Sequence, residues 1–236
     1  MNIGRRLVAE GLGTAMLLAV VVGSGIMAER LAGGNVAIAL LANALATGTG
    51  LVALILMFGA ISGAHFNPVV TLSQAAQGKL PGREVLPYIA VQVVGAFAGV
   101  AAAHGMFGVA LFAASEHVRS GAGLWWSECV ATFGLIAVII GCSRSRPDAT
   151  PFAVGAYITA GYWFTSSTSF ANPAVTLARS ATNTFAGIRP IDAPGFIVAQ
   201  LVGAAAATAV FCWLYRGDAA PATPTGGEVS ARPEHQ

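Results

Sequence analysis

A short polar motif occurs twice in this chain, and its residue types could form hydrogen bonds with a small oxygen-bearing molecule. Residues 67–72 read Asn-Pro-Val-Val-Thr-Leu, and residues 172–177 read Asn-Pro-Ala-Val-Thr-Leu. Asparagine is a favoured helix N-cap and proline a favoured first helical residue, so each copy predicts the start of a short helix. We expect these helices to run to about Gln77 and about Thr182. The motif residues that we expect at a site are Asn67, Pro68, Val69, Asn172, Pro173 and Ala174.

Two such helices would fit inside a membrane. About ten residues at a rise of 1.5 Å give about 15 Å, half of a hydrocarbon core about 30 Å thick. Helices entering from opposite faces would bring Asn67 and Asn172 together near the midplane. Their N-terminal dipoles would repel cations and protons, while the two amides could donate to the oxygen of a neutral molecule. Ordinary Asn-Pro turns in loops are the alternative interpretation, which the repetition of a whole hexamer disfavours.

The composition agrees with a membrane setting. The chain has 236 residues, of which 56% are hydrophobic and 9% charged, against about 25% charged residues in soluble proteins. This composition excludes a water-soluble enzyme. A net charge of +2 without a basic stripe interleaved with aromatics gives no indication of nucleic-acid binding. We predict six apolar membrane segments, at about residues 7–28, 36–58, 86–112, 124–142, 150–164 and 194–215.

The sequence has no group of residues spaced for catalysis or metal binding. Three cysteines without metal-ligand spacing do not form a disulfide framework, and we interpret Cys129, Cys142 and Cys212 as packing residues. The histidines also lack metal-ligand spacing. No nucleophile, base and orienting group occur together. We therefore expect no enzymatic activity, no cofactor and no metal.

Polar markers recur in the same order in both halves of the chain. Glu-x-x-x-Thr begins at Glu10 and Glu128, the Asn-Pro hexamer follows, and Gln-x-x-Gly-Ala begins at Gln92 and Gln200. Each unit holds three spans, an odd number, so the second copy must enter the membrane from the opposite side. We predict an all-α membrane domain over residues 1–216, with inverted repeats at about 5–114 and 123–216. This architecture is typical of channels and transporters.

The basic residues predict the orientation. Cytoplasmic loops are enriched in Lys and Arg, and a cytoplasmic N-terminus would place eight basic residues inside and four outside. The inside set is Arg5, Arg6, Lys79, Arg83, Arg144, Arg146, Arg216 and Arg232, and the outside set is Arg30, Arg119, Arg179 and Arg189. Residues 217–236 are rich in proline, glycine and charge, which predicts a disordered cytoplasmic tail. We expect a multi-pass protein of a bacterial-type inner membrane with both termini in the cytoplasm.

The sequence around the two motifs resembles the aquaporin and aquaglyceroporin family, the major intrinsic proteins. Residues 62–71 read Ser-Gly-Ala-His-Phe-Asn-Pro-Val-Val-Thr and residues 170–176 read Phe-Ala-Asn-Pro-Ala-Val-Thr, similar to the family's two motif loops. The resemblance covers nearly the whole chain. It implies six membrane helices plus two re-entrant half-helices, assembled as a homotetramer with one pore per subunit. Val69 stands where the first motif usually has alanine, a change that we expect to be tolerated.

The resemblance also implies a constriction, the selectivity filter, built from the second helix, the fifth helix and the second motif. The matching residues are Thr47, then either Ala160 or Tyr162 on the fifth helix, then Ser169 and Val175. Val175 replaces the family's usual arginine, and we do not transfer that role to Arg179, one helical turn away. Valine lacks the five N–H donors of arginine. We therefore expect a wide, uncharged filter that admits neutral polyols rather than water alone.

Further residues resemble the aquaglyceroporins encoded in bacterial arsenic-resistance operons. They are Thr47, the run Ser-Ser-Thr-Ser-Phe-Ala at residues 166–171, and Asn-Pro-Ala-Val followed by Ala-Arg-Ser at residues 178–180. This resemblance implies passive conduction of arsenous acid, the neutral trihydroxide of trivalent arsenic, together with glycerol-like polyols and water. A general water and glycerol facilitator without an arsenic role is the alternative within the same class.

Two carboxylates lie inside predicted spans. Residues that match Glu10 and Glu128 in the family accept hydrogen bonds from the re-entrant loops, so we expect a structural role, with Gln92 and Gln200 acting similarly. A coupled secondary transporter is the alternative from another class. It would need ionisable groups inside the membrane, and only these two glutamates qualify. We interpret His65, beside the first motif, as a structural residue, with pH gating as the alternative.

Overall fold

The computed structural model of the chain describes residues 1–216. Within this range every regular element is helical, which confirms the predicted all-α class. The predicted tail at residues 217–236 lies outside the described residues. The α-helices are α1 (Ile3–Leu31), α2 (Val36–Ser62), α3 (Pro68–Ala76), α4 (Gly82–Phe107), α5 (Ala122–Ser145), α6 (Thr150–Phe164), α7 (Pro173–Arg179) and α8 (Ala193–Leu214).

Five helices are long and apolar enough to cross a bilayer, namely α1, α2, α4, α5 and α8. Helix α6 has 15 residues, and its rise of about 22 Å is shorter than a hydrocarbon core of about 30 Å. A 3₁₀ turn at Pro147–Ala149 directly precedes α6 and lengthens this helical segment. Large apolar side chains are exposed along the outside of the bundle, including Leu12, Val94, Trp126 and Val198. Such a surface suits contact with lipid.

The predicted end of the third span is wrong. We expected it at residue 112, but α4 ends at Phe107. Gly108 adopts a left-handed conformation with φ of 63°, and its N–H donates to the carbonyl of His104. Glycine adopts this conformation without a steric cost, which makes it a common helix terminator. The other predicted bounds differ from the observed ones by only a few residues.

Helices α3 and α7 begin at the two motifs. Asn67 and Asn172 are their N-caps, and in each case the side-chain oxygen accepts a hydrogen bond from the first turn of the helix. Helix α3 has 9 residues and α7 has 7. The expectation that α7 reaches Thr182 is wrong. The following loop folds back, and the N–H of Ile188 donates to the carbonyl of Arg179 at 3.3 Å, which occupies the end of the helix.

The two halves of the chain pack in the same way. Helix α1 packs against α2 and α4, and α5 packs against α6 and α8, while α2 and α6 join the halves. Each short helix also contacts the last helix of the other half, α3 with α8 and α7 with α4. Equivalent glycines allow the closest crossings. A Cβ atom at Gly95 would lie 2.3 Å from the carbonyl oxygen of Gly11, and one at Gly203 would lie 2.2 Å from that of Cys129.

Candidate functional site

A cavity of about 110 Å³ lies at the centre of the bundle, between the two halves. Asn67 and Asn172 line its middle, where α3 and α7 begin. Because the two short helices run in opposite directions from this point, they define two ends. The α3 end is lined by Gln74, and the α7 end by Arg179. Aliphatic side chains of α1, α2, α5 and α6 complete much of the wall.

Reciprocal hydrogen bonds join the two asparagines to each other's loops. The Nδ2 atom of Asn67 donates to the carbonyl of Ala171 at 2.8 Å, and Nδ2 of Asn172 donates to the carbonyl of Phe66 at 2.8 Å. An amide nitrogen carries two hydrogens. Each asparagine therefore retains one N–H that a molecule in the cavity can accept.

Glu10 holds the first motif loop in an unusual conformation. Phe66 has a positive φ of 50°, which for a residue with a side chain costs of the order of 1–3 kcal/mol. The carboxylate of Glu10 accepts from the N–H of His65 at 2.9 Å and from the N–H of Phe66 at 2.8 Å. Gln92 donates to the same carboxylate at 2.8 Å and to the hydroxyl of Thr71 at 2.9 Å. This largely buried network fixes where the loop presents Asn67.

Glu128 has the same function in the second motif loop. Its carboxylate accepts from the N–H groups of Phe170 and Ala171, both at 2.8 Å, and from Gln200 at 2.7 Å. Ala171 has a positive φ of 47°. Gln200 also donates to the hydroxyl of Thr176 at 2.9 Å. The repeated sequence markers therefore build two equivalent supports, one for each motif.

The structure places Tyr162, and not Ala160, on the cavity. Thr47 and Tyr162 both line the cavity wall, and their hydroxyl oxygens are 3.1 Å apart. Ala160 is exposed on the outside of the bundle. Two residues along a helix differ by about 200° in direction, so only one of the two candidates can face inward.

Ser169 and Val175 line the cavity near its α7 end. The Ser169 hydroxyl has no hydrogen-bond partner within the described chain. The cavity wall also carries a charge, because Arg179 lines it, although none of the expected filter residues is charged. Arg179 lies four residues beyond Val175 in α7, on the same helix face. That spacing is the sequence signal that could have identified it.

The remaining motif residues have packing roles. Pro68 and Pro173 are the buried first residues of their helices, and Ala174 is fully buried. Val69 packs in an apolar cluster with residues of α5 and α8 and does not contribute to the cavity lining.

His65 lines the cavity, with Nδ1 at 3.1 Å from the hydroxyl of Thr71. Residues 1–216 contain no cluster of side chains that could hold a metal ion.

A second guanidinium lies close to the α7 end of the cavity. Arg119, in the segment between α4 and α5, donates through Nε to the carbonyl of Gly187 at 2.8 Å. Its guanidinium carbon is 5.1 Å from the centre of the Phe170 ring. Burial lowers the pKa of Arg119 from its ordinary value, but arginine titrates so far above neutral pH that the side chain stays a cation.

Comparisons with known proteins agree with this geometry. The model of the family described as major intrinsic protein matches residues 1–166 and 145–232. The chain is 53% identical over 223 residues to the aquaglyceroporin AqpS of Rhizobium meliloti (strain 1021), covering 94% of each protein. It is 30% identical over 245 residues to the probable aquaporin AqpM of Archaeoglobus fulgidus, covering 91% of this chain and 97% of the relative.

A solved structure shares the fold. The X-ray structure of the aquaglyceroporin from Plasmodium falciparum superposes with a TM-score of 0.65 at 22% identity, covering 91% of this chain and 96% of the other. Proteins of this family are membrane channels and not enzymes. The paired motif helices, the central cavity and the match along nearly the whole sequence lead to one conclusion. The chain belongs to the major intrinsic protein family of aquaporin and aquaglyceroporin channels, and is a multi-pass integral membrane protein.

Proposed function

We propose that this chain is a passive channel of the aquaglyceroporin type that conducts arsenous acid as its neutral trihydroxide, together with glycerol-like polyols and water. The observation that carries the proposal is the aliphatic side chain of Val175 on the wall of the cavity. Val175 replaces an arginine that would occupy space and donate hydrogen bonds at the constriction. A compact solute with several hydroxyls can occupy that space.

The centre of the cavity favours neutral solutes. Helices α3 and α7 point their N-terminal, partially positive ends at the same region, which repels cations. The free N–H of Asn67 and that of Asn172 can each donate to a solute oxygen. Arsenous acid is uncharged at neutral pH and carries three hydroxyls on one centre, so these groups would bind it much as they bind glycerol.

The α7 end supplies the selectivity filter of this proposal. The hydroxyls of Thr47 and Tyr162 lie together on the wall, and we assign these residues to the filter with Ser169 and Val175. A wall that combines hydroxyl groups with an aliphatic side chain suits a solute that has oxygens around a carbon or arsenic core. This chemistry is shared by glycerol and arsenous acid, and the test must separate them.

The two buried glutamates support passive conduction over coupled transport. The carboxylate of Glu10 is bound by backbone N–H groups and by the side chains of Ser62 and Gln92. That of Glu128 is bound by two N–H groups and by Gln200. A group that carries protons or Na⁺ through a transport cycle would have to exchange these partners, which hold the motif loops in place.

We further propose that residues 1–216 form one channel domain that assembles as a homotetramer in a bacterial inner membrane, with both termini in the cytoplasm. The exposed apolar side chains of the long helices could contact neighbouring subunits as well as lipid. Native mass spectrometry of detergent-solubilised protein would test the assembly. A monomer under conditions that preserve solute flux would contradict it.

Stopped-flow light scattering on proteoliposomes tests the channel function. We expect the native protein to conduct water, glycerol and arsenous acid. Val175→Arg should reduce glycerol and arsenous acid flux on the order of tenfold while water flux persists, since a loss of 1.4 kcal/mol is a factor of ten. Val175→Leu adds volume without charge or donors and is the matched control.

Each contrary outcome indicates a different transport function. Conduction of glycerol without arsenous acid would indicate a general facilitator. Conduction of water alone would exclude the wide filter. Solute flux that requires an imposed ion gradient would indicate a coupled transporter.

A further inference from the structure

The end of α7 carries a cation that the family motif does not explain. Arg179 is 3% exposed, lines the cavity and lies one helical turn beyond Val175. Side chains on a helix tilt toward its N-terminus, which for α7 is the centre of the cavity. A long side chain at this position therefore reaches back toward the level of Val175.

Contacts with the motif loop and the following loop hold the guanidinium in place. Its carbon lies 3.4 Å from the centre of the Phe170 ring, and Nε donates to the carbonyl of Ala186. Phe170 is itself fixed by an edge-to-face contact with Phe196, with ring centres 5.2 Å apart. The stacked ring and the carbonyl restrict a side chain that would otherwise populate many rotamers.

The charge of Arg179 is not neutralised by an ion pair. Among the described residues the ion pairs are Arg6 with Glu84 and Arg189 with Asp192. The terminal nitrogens of Arg179 donate no hydrogen bond to a described residue, and only Nε is bound by the protein. A buried cation of this kind inside a membrane protein typically faces a polar pathway, where water or substrate solvates it.

We infer that Arg179 is a specificity-determining residue of this channel, which supplies from one turn beyond Val175 the positive charge that the constriction lacks at that position. The guanidinium repels protons and metal cations, and its free N–H groups donate to the oxygens of neutral solutes. The valine leaves room for the solute, while the guanidinium that excludes cations is held against the ring of Phe170. The inference rests on the proposed channel function.

Replacing the guanidinium by an uncharged, unbranched side chain tests the inference. We expect Arg179→Met to raise the leak of protons and K⁺ through proteoliposomes on the order of tenfold, because the Coulomb barrier of a unit charge is lost. Arg179→Lys should keep the leak close to that of the native protein. Arg189→Met is the matched control, since Arg189 is paired with Asp192 and does not line the cavity.

Glycerol flux in the same vesicles separates this inference from the proposed function. Glycerol flux through Arg179→Met with a proton and K⁺ leak within twofold of the native protein would overturn the role of Arg179. If the native protein conducts no glycerol, but Arg179→Met raises the leak of protons and K⁺, the proposed function is refuted while the inference on Arg179 stands. If Arg179→Met does not fold, the double variant Val175→Arg with Arg179→Val tests the inference instead. A proton and K⁺ leak close to that of the native protein supports the role of the charge, and a raised leak contradicts it.

Discussion

The hydroxyl oxygens of Thr47 and Tyr162 lie 3.1 Å apart and link α2 to α6 across one wall of the cavity. Either hydroxyl can donate to the other. One hydroxyl donates its hydrogen in this bond, and the other keeps its O–H free for another acceptor. Because the bond holds the two hydroxyls together, they form one polar surface rather than two separate ones. The ring of Tyr162 also lines the cavity, so we expect its size to set the width of the cavity beside this surface.

Shortening Tyr162 should change which solutes pass. We expect Tyr162→Leu to increase the flux of a five-carbon polyol relative to glycerol severalfold, because the ring no longer occupies the wall. Tyr162→Phe keeps the ring and removes only the hydroxyl, so it should leave this ratio nearly unchanged. Light-scattering assays of vesicle swelling measure both. An unchanged ratio in Tyr162→Leu would place the narrowest point elsewhere.

The support of the second motif loop should be sensitive to the loss of one carboxylate oxygen. Glu128→Gln directs an amide N–H at groups that are themselves donors, so one bond is lost and a donor is left without a partner. We expect a loss of about 1–3 kcal/mol in stability, seen as a lower midpoint of heat-induced aggregation in detergent. Glu10→Gln should behave alike, because its loop is held in the same way.

The flux per folded molecule gives an independent readout for these two variants. A structural support affects how much protein folds, whereas a proton-carrying group affects transport by folded protein. We expect glycerol flux, normalised to folded protein, to remain within a few-fold of the native value. Flux that vanishes in well-folded protein would restore the coupled-transporter interpretation.

The glycine crossings should tolerate no side chain. Gly203→Ala places a Cβ 2.2 Å from the carbonyl oxygen of Cys129, so α5 and α8 must separate, at a cost of about 1–3 kcal/mol. Gly105 lies in α4 with no neighbouring atom within 4 Å of its added Cβ. Gly105→Ala should therefore raise stability by about 0.5–1 kcal/mol through helix propensity. The same detergent melting experiment compares the two, and opposite signs are the expected result.

The two roles of Asn172 can be separated by substitution. Serine is also a good N-cap but lacks the Nδ2 that reaches the carbonyl of Phe66, whereas alanine supplies neither group. We expect Asn172→Ser to lower the melting midpoint less than Asn172→Ala, with the difference corresponding to about 1 kcal/mol for the cap. Equal losses would mean that the cross-link, and not the cap, is the contribution that matters.

The sequence was sufficient to predict the elements that repeat. Each Asn-Pro motif starts a short helix because N-capping and the fixed φ of proline act locally. The glutamates recur at equivalent places, so their equivalent networks could be expected from the repeat. Helix existence and order follow from apolar segments and depend little on distant contacts.

Features set by loop lengths and distant contacts could not be predicted in the same way. The choice between Ala160 and Tyr162 depends on the length of the connection between α6 and the second motif, which sequence alone did not fix. Arg179 was left without a role because its orientation depends on Phe170 and Ala186, neither of which is its helical neighbour. The early end of α7 likewise depends on a loop that returns from residue 188.

The reciprocal bonds from Asn67 to Ala171 and from Asn172 to Phe66 mean that neither half of the chain can complete its own motif. Each half supplies the acceptor that the other half's amide requires. A chain cut between α4 and α5 should therefore yield two fragments that are each incompletely folded and that recover a channel only when they are co-expressed.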